Sequence, residues 1–197
     1  MGAAVICERG RVVAADDNAL ASAAMASLTA QARFAQTQRR MELPLSELPG
    51  DLFHDLLLAC REYSDQLRSD AMIRAEAKLR NNFDEGAGRL SLMARVVAGM
   101  GQGGLRALDI DRAGAALFLS ALAARSGQTR IATVLSTHPR QTVRLALGLR
   151  AAGLDSADVE RQILRINPKA DPPTGISELA PEEARRLLAD LPLQENS

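Results

Sequence analysis

Tryptophan is missing from this 197-residue chain, tyrosine occurs once, at Tyr63, and aromatic residues make up only 3%. A core without rings must be built from Leu, Ala, Val, Ile and Met. Unbranched aliphatics favour helix, and the β-branched and aromatic residues that favour strands are few. The same scarcity removes the stacking platforms on which RNA and single strands are usually held. The only cysteines, Cys7 and Cys60, form no CxxC motif, so neither a zinc site nor a disulfide framework is expected. A reducing, cytoplasmic compartment fits this usage. Net charge is also missing: 24 acidic residues balance 24 basic ones, leaving no overall field to draw in nucleic acid or a membrane surface. No basic stretch precedes an apolar one near Met1, so no secretory signal is expected. The longest nearly apolar run, Gly114 to Ala124, is too short to span a bilayer.

What is present is an ordinary globular balance, 47% hydrophobic and 24% charged, in a chain long enough for one domain or two small ones. Of the 24 basic residues only Lys78 and Lys169 are lysines, so 22 are arginines. They are scattered, which suits a compositional bias of the source better than a site for anions, although arginine does grip carboxylates in pairs of hydrogen bonds.

The pattern predicts an all-α fold, a helical bundle followed by short stacked hairpins of HEAT-like or solenoid-like character. Residues 1–15 form an N-terminal arm, either loose or folded back as a small β-hairpin across Glu8-Arg9-Gly10-Arg11. Residues 16–101 form a long-helix bundle and the candidate dimerisation region. Asp16, Asp17 and Asn18 offer caps for a first helix that runs to about Arg40. Pro44 and Pro49-Gly50 interrupt it. Asp51 opens a second helix whose stripe is Leu52, Phe53, Leu56, Leu57, Cys60, Tyr63 and Leu67. From Ser69 the surface is charged, with Asp70/Arg74 and Glu76/Arg80 in the favourable acid-first order. Gly86 and Gly88 mark a break, and Leu90, Met93, Ala94, Val97 and Met100 form the next inward face.

Residues 102–192 read as a repeat-like series of short helices, and 193–197 as a disordered tail. One helix spans about Asp111 to Arg125, with Ala115, Phe118, Leu119 and Leu122 inward. A second runs from Thr129 to Thr137 and stops before Pro139. Others cover Gln141 to Ala152 and Ser156 to Ile166, and a last begins at Pro181 with Ala184, Leu187, Leu188 and Leu191 inward. Gly101, Gly127 and Gly153 are twice spaced by 26 residues. Met93, Leu119 and Leu145 each stand eight before their glycine, and Leu105 and Ile131 four after. The spacing fits helix–Gly–helix units, each glycine closing a helix in a left-handed cap. Chance spacing among 14 glycines and common hairpin lengths is the competing explanation.

Little in the sequence carries chemistry, and no catalytic residue, cofactor site, metal site or small-molecule substrate is assigned. His54-Asp55, on the second helix, is the one motif with a mechanism: an exposed imidazole beside an acid on a helical hairpin is how phosphoaccepting histidines are presented. Against it, the position four after His54 is Leu58 and the usual proline beyond the histidine is missing, and a structural histidine is the simpler reading. His138 ends a helix before Pro139, where an imidazole interacts well with exposed carbonyls. The glycine-rich run Gly99 to Gly104 closes a helix and lacks a following Lys, so it reads as a cap or hinge and not as a phosphate loop. Acid pairs at Asp16-Asp17, Asp84-Glu85 and Glu182-Glu183 read as helix N-terminal charges, and none makes a Glu-x-x-His metal motif.

The runs LFLSALAARSG (Leu117 to Gly127), VLST (Val134 to Thr137), LALGLRAAGLD (Leu145 to Asp155), ILRINP (Ile163 to Pro168) and LAPEEARRLL (Leu179 to Leu188) lie within Leu90 to Leu191. This half of the chain resembles a bacterial family catalogued as domain of unknown function 2336. The resemblance implies a helical, repeat-like protein and carries over no catalytic residues.

The expected function is a non-catalytic helical scaffold or protein–protein interaction module that is cytoplasmic and regulatory. Its partner is another protein, and the protein itself is expected to be a homodimer. The alternative is a histidine phosphotransfer protein using His54 and Asp55. A third reading, a nucleic-acid-binding helical repeat, needs the scattered arginines to converge on one face.

Overall fold

The computed structural model describes residues 7–8, 11–12, 18–67 and 70–191 of the chain. The caps expected from Asp16 and Asp17, the side chain of Leu67 and the tail 193–197 lie outside the described residues. The fold is all-α. Its helices are α1 (Asn18–Arg39), α2 (Gly50–Leu67), α3 (Asp70–Asn82), α4 (Arg89–Gly99), α5 (Ile110–Ser126), α6 (Arg130–Ser136), α7 (Thr142–Ala151), α8 (Ser156–Ile166) and α9 (Pro181–Asp190). Two dipeptides, β1 (Cys7–Glu8) and β2 (Arg11–Val12), pair antiparallel with Cys7 opposite Val12, which is the hairpin alternative for the arm.

The chain divides into two compact units. One comprises the described residues up to Ala24 and those from Met93 on; the other is Met25–Leu92.

In the larger unit the core is aliphatic, as the composition requires. Phe118, Leu122, Leu145, Leu149 and Ile163 are fully buried, and Leu108, Val159, Ala184 and Leu188 join them. Truncating one of these leucines to Ala costs about 2–5 kcal/mol. Sequence boundaries match local chemistry. Thr129 caps α6 by accepting from the Ala132 N–H at 3.1 Å, and Asp155 caps α8 by accepting from the Asp158 N–H at 2.8 Å. Replacing either cap by Ala removes about 1 kcal/mol. The buried Gln162 lends its Oε1 to the Ile110 N–H at 3.1 Å, tying α8 to the start of α5.

The three equally spaced glycines share one conformation. Gly101, Gly127 and Gly153 have φ of 49°, 76° and 104°, the left-handed region that costs other residues energy. Each follows a helix (α4, α5 and α7) and turns the chain into a second element: a 3₁₀ segment Gly101–Leu108, then α6, then α8. Burial repeats with them. The residues five, four and one before each glycine are Val96, Leu122 and Gly148; Val97, Ala123 and Leu149; Met100, Ser126 and Ala152; all nine are buried.

Several inward assignments are corrected. Ala94 and Ala115 are exposed, while Leu92, Val96, Ala113 and Leu117 are buried in their helices. In α5, Gly114, at φ 73° and ψ 158°, breaks the helix immediately before Ala115, leaving Ala115 at the start of the segment that follows. Leu187, expected inward, is also exposed.

Candidate functional site

The unit Met25–Leu92 presents the most exposed apolar surface, on α2 and α3. Both helices are anchored at one end. Phe53 of α2 stacks on Phe83, just after α3, with ring centroids 3.9 Å apart and planes within 4°. The Glu85 carboxylate accepts from the Gly50 N–H at 3.1 Å, supplying an acceptor to the start of α2. A Cβ at position 50 would lie 2.7 Å from Glu85 Oε2, so glycine is what lets that carboxylate in. Asp84 caps the short turn after α3 by accepting from the Gly86 N–H at 2.9 Å. The pair Asp84-Glu85 is therefore a set of caps, as expected of helix N-terminal acids, though Glu85 serves a helix 35 residues earlier.

Further along, Glu76 of α3 takes two guanidinium partners, Arg61 of α2 at 2.8 Å and Arg80 at 2.7 Å. The hydrogen bonds from Arg61 and then Arg80, more than their charges alone, lower the Glu76 carboxyl to a pKa of about 2. The i,i+4 Glu76/Arg80 pair was legible in the sequence; the cross-helix Arg61 was not. Elsewhere in the unit, Arg89 lies 4.1 Å from the Phe34 ring centroid and 3.5 Å from Glu47.

Among the described residues of the apolar stripe predicted on α2, Phe53 and Leu57 are buried. Leu52 is 52% exposed and Tyr63 61%, and Leu56, Leu58 and Cys60 are exposed with them. Leu52, Leu56, Ala59 and Tyr63 follow one another at steps of four, three and four, the spacing of a helix–helix seam. On α3, Ile73 and Leu79 are exposed and no residue is buried.

His54 and Asp55 both stand exposed on α2. His138 is exposed too, but its role differs from the one expected: its Nδ1 accepts from the Arg140 N–H at 3.2 Å, capping the turn Pro139–Gln141. The imidazole therefore serves the start of the next element and not the carbonyls of α6. The run Gly99 to Gly104 behaves as a helix end, with Gly101 turning the chain into the 3₁₀ segment.

Two clefts are notable among the described residues, one in each unit. The first, about 450 Å³, lies between Arg33, Phe34 and Arg40 of α1 and Glu47, Asn82 and Asp84. The second, about 520 Å³, lies between α8 and the segment Asp171–Ser177. Neither is lined by His or Cys, so neither pairs a nucleophile with an imidazole base. Among the described residues no group of three or more His, Cys, Asp or Glu could hold a metal ion. No helix among them is long and apolar enough to cross a membrane.

The residues that sequence reasoning missed are arginines. Arg150 donates to the Leu179 and Leu154 carbonyls at 2.6 and 2.8 Å. Arg125 donates to Ala152 O at 3.0 Å, and Arg185 to Ala151 O at 2.8 Å. The buried Arg144 reaches Gln128 Oε1 at 3.0 Å and Leu191 O. These guanidinium groups are spent on carbonyls at and beyond helix ends.

No family model, no curated protein and no solved structure matches this chain.

Proposed function

We propose that this protein is a non-catalytic helical interaction module that assembles as a homodimer through α2 and α3. The observation that carries the reading is the uncovered apolar surface of that hairpin: Leu52, Leu56 and Tyr63 on α2, and Ile73 and Leu79 on α3. Burying a leucine-sized side chain is worth about 1.5–3 kcal/mol, so five left in water form a reservoir that association can draw on. The seam spacing on α2 suits a second helix lying alongside. Residues from α4 to α9 are read as stacked repeat units, supported by the three left-handed glycines and the burial pattern around them. In this reading the repeats are a rigid platform and the hairpin is the assembly device.

The test is size-exclusion chromatography with light scattering on the intact chain and on Leu56→Glu. The variant is expected to weaken self-association by at least about tenfold, as loss of a central interface anchor does, with an unchanged far-UV circular dichroism spectrum. A Leu56→Glu protein that associates as well as the parent removes α2 from the proposal.

Phosphotransfer through His54 is the second reading, favoured by the open placement of both His54 and Asp55 on α2. Incubation with phosphoramidate, a chemical donor to imidazole, is then expected to give an acid-labile phosphoprotein that His54→Gln abolishes. Absence of label, or label that survives the substitution, ends this reading.

A further inference from the structure

α6 is built the wrong way round for a helix whose only task is to close the core. Its buried residues are Ala132, Thr133 and Ser136, and its large apolar residues face out: Ile131 at 73% exposure, Val134 and Leu135 at close to half. Ile131, Val134 and Leu135 stand at i, i+3 and i+4 and so share one side of the helix. Val143, in the first turn of the adjoining α7, is 51% exposed and extends the apolar residues. The inward hydroxyls have to find acceptors within the helix itself. Thr133 donates to Thr129 O at 3.0 Å and Ser136 to Thr133 O at 2.7 Å. A sequence shaped only by folding would place the aliphatics inside and the hydroxyls in water, since burial of each aliphatic is favourable and burial of each hydroxyl is not.

Within the stretch of chain that carries this face the charge has one sign. No Asp or Glu occurs between Arg112 and Asp155. Arg140 is exposed just beyond the end of α6 and in no ion pair among the described residues. His138 is exposed between the two. Asn167 donates to Thr137 O at 3.0 Å, holding the end of α8 to the same end of the helix.

We propose that the outward face of α6, with Val143, is the docking site for an acidic amphipathic helix of a partner protein. The partner's aliphatic side chains cover Ile131, Val134 and Leu135, and its carboxylates meet Arg140. The choice of an acidic partner follows from charge complementarity around an apolar centre. This site is separate from the α2–α3 surface and does not depend on dimerisation.

The probe is a fluorescein-labelled fifteen-residue peptide with leucines on one helical face and glutamates elsewhere, beside its all-lysine counterpart. Anisotropy titration with the intact chain is expected to show saturable binding of the glutamate peptide and none of the lysine peptide. Ile131→Gln and Arg140→Glu should each weaken binding about tenfold or more, and added salt should weaken it further. Ile131 is mostly in water, so its substitution leaves the fold intact, and a thermal melt checks this; should it unfold, Val143→Gln replaces it. Failure of the glutamate peptide to saturate overturns the proposal. So does equal binding of both peptides, or binding indifferent to Ile131→Gln. Two further outcomes also overturn it. One is binding to vesicles of mixed phosphatidylserine and phosphatidylcholine without binding to the peptide. The other is peptide silence combined with a fall in molar mass in Ile131→Gln, which would give the face to a second copy of this chain.

Discussion

Arginine is where single residues matter most. Arg150 divides its guanidinium between the Leu179 and Leu154 carbonyls, 29 and four residues away. Arg150→Ala frees both acceptors and is expected to cost about 2–3 kcal/mol in urea unfolding, since bonds from a charged donor are the strong kind. Arg150→Lys should recover little, because an ammonium cannot reproduce the planar fork; full recovery would mean that charge alone is at work. None of this could be read from the sequence. The acceptors of Arg125 and Arg185 lie 27 and 34 residues away, and a main-chain carbonyl leaves no mark in composition. Glu76 is the other residue with a measurable signature. Its folded-state pKa of about 2 lies below the ordinary glutamate value near 4.3, so its contribution is complete above that value. It is lost as pH falls from about 4 toward 2. Glu76→Gln should flatten this part of the stability–pH curve and leave the neutral-to-basic side unchanged in shape; an unaltered acid limb would mean that Arg61 and Arg80 do not hold the carboxylate in solution.

At the level of elements, periodicity was informative and facing largely so: Met93, Val97, Met100, Phe118, Leu122, Ala184 and Leu188 are buried as expected. The starts and ends of α6, α8 and α9 were legible because Thr129, Pro139, Asp155 and Pro181 are strong local punctuation. So was the spacing of Gly101, Gly127 and Gly153, whose left-handed geometry is the local reason for glycine. Gly127→Ala should cost about 1–2 kcal/mol in thermal or urea unfolding, purely from backbone conformation, because no atom lies within 4 Å of the added methyl. A neutral substitution would show that the turn relaxes freely. Ala115 is exposed at the first position after the break at Gly114, and the inverted facing of α6 left no mark in an element of seven residues. The candidate site was half legible. The stripe from Leu52 to Tyr63 is plain in the sequence, but the division between buried Phe53 and Leu57 and exposed Leu52, Leu56 and Tyr63 depends on where the chain turns at Phe83 and stacks back.

For the whole molecule, the two units use their apolar residues differently. The unit holding α5 to α9 encloses most of its large aliphatics, leaving Leu105, Leu164, Leu187, Val143 and the three of α6 exposed. Met25–Leu92 leaves Leu52, Leu56, Tyr63, Ile73 and Leu79 in water and buries nothing on α3. A hairpin this open is costly as a monomer and ordinary as half of an interface. Sedimentation equilibrium of the intact chain over a range of loading concentrations tests this most directly. The account predicts a species of twice the 21.1 kDa chain mass that gives way to the single chain on dilution. A mass of 21.1 kDa at every concentration, with Leu52 and Tyr63 still open to solvent, would contradict it.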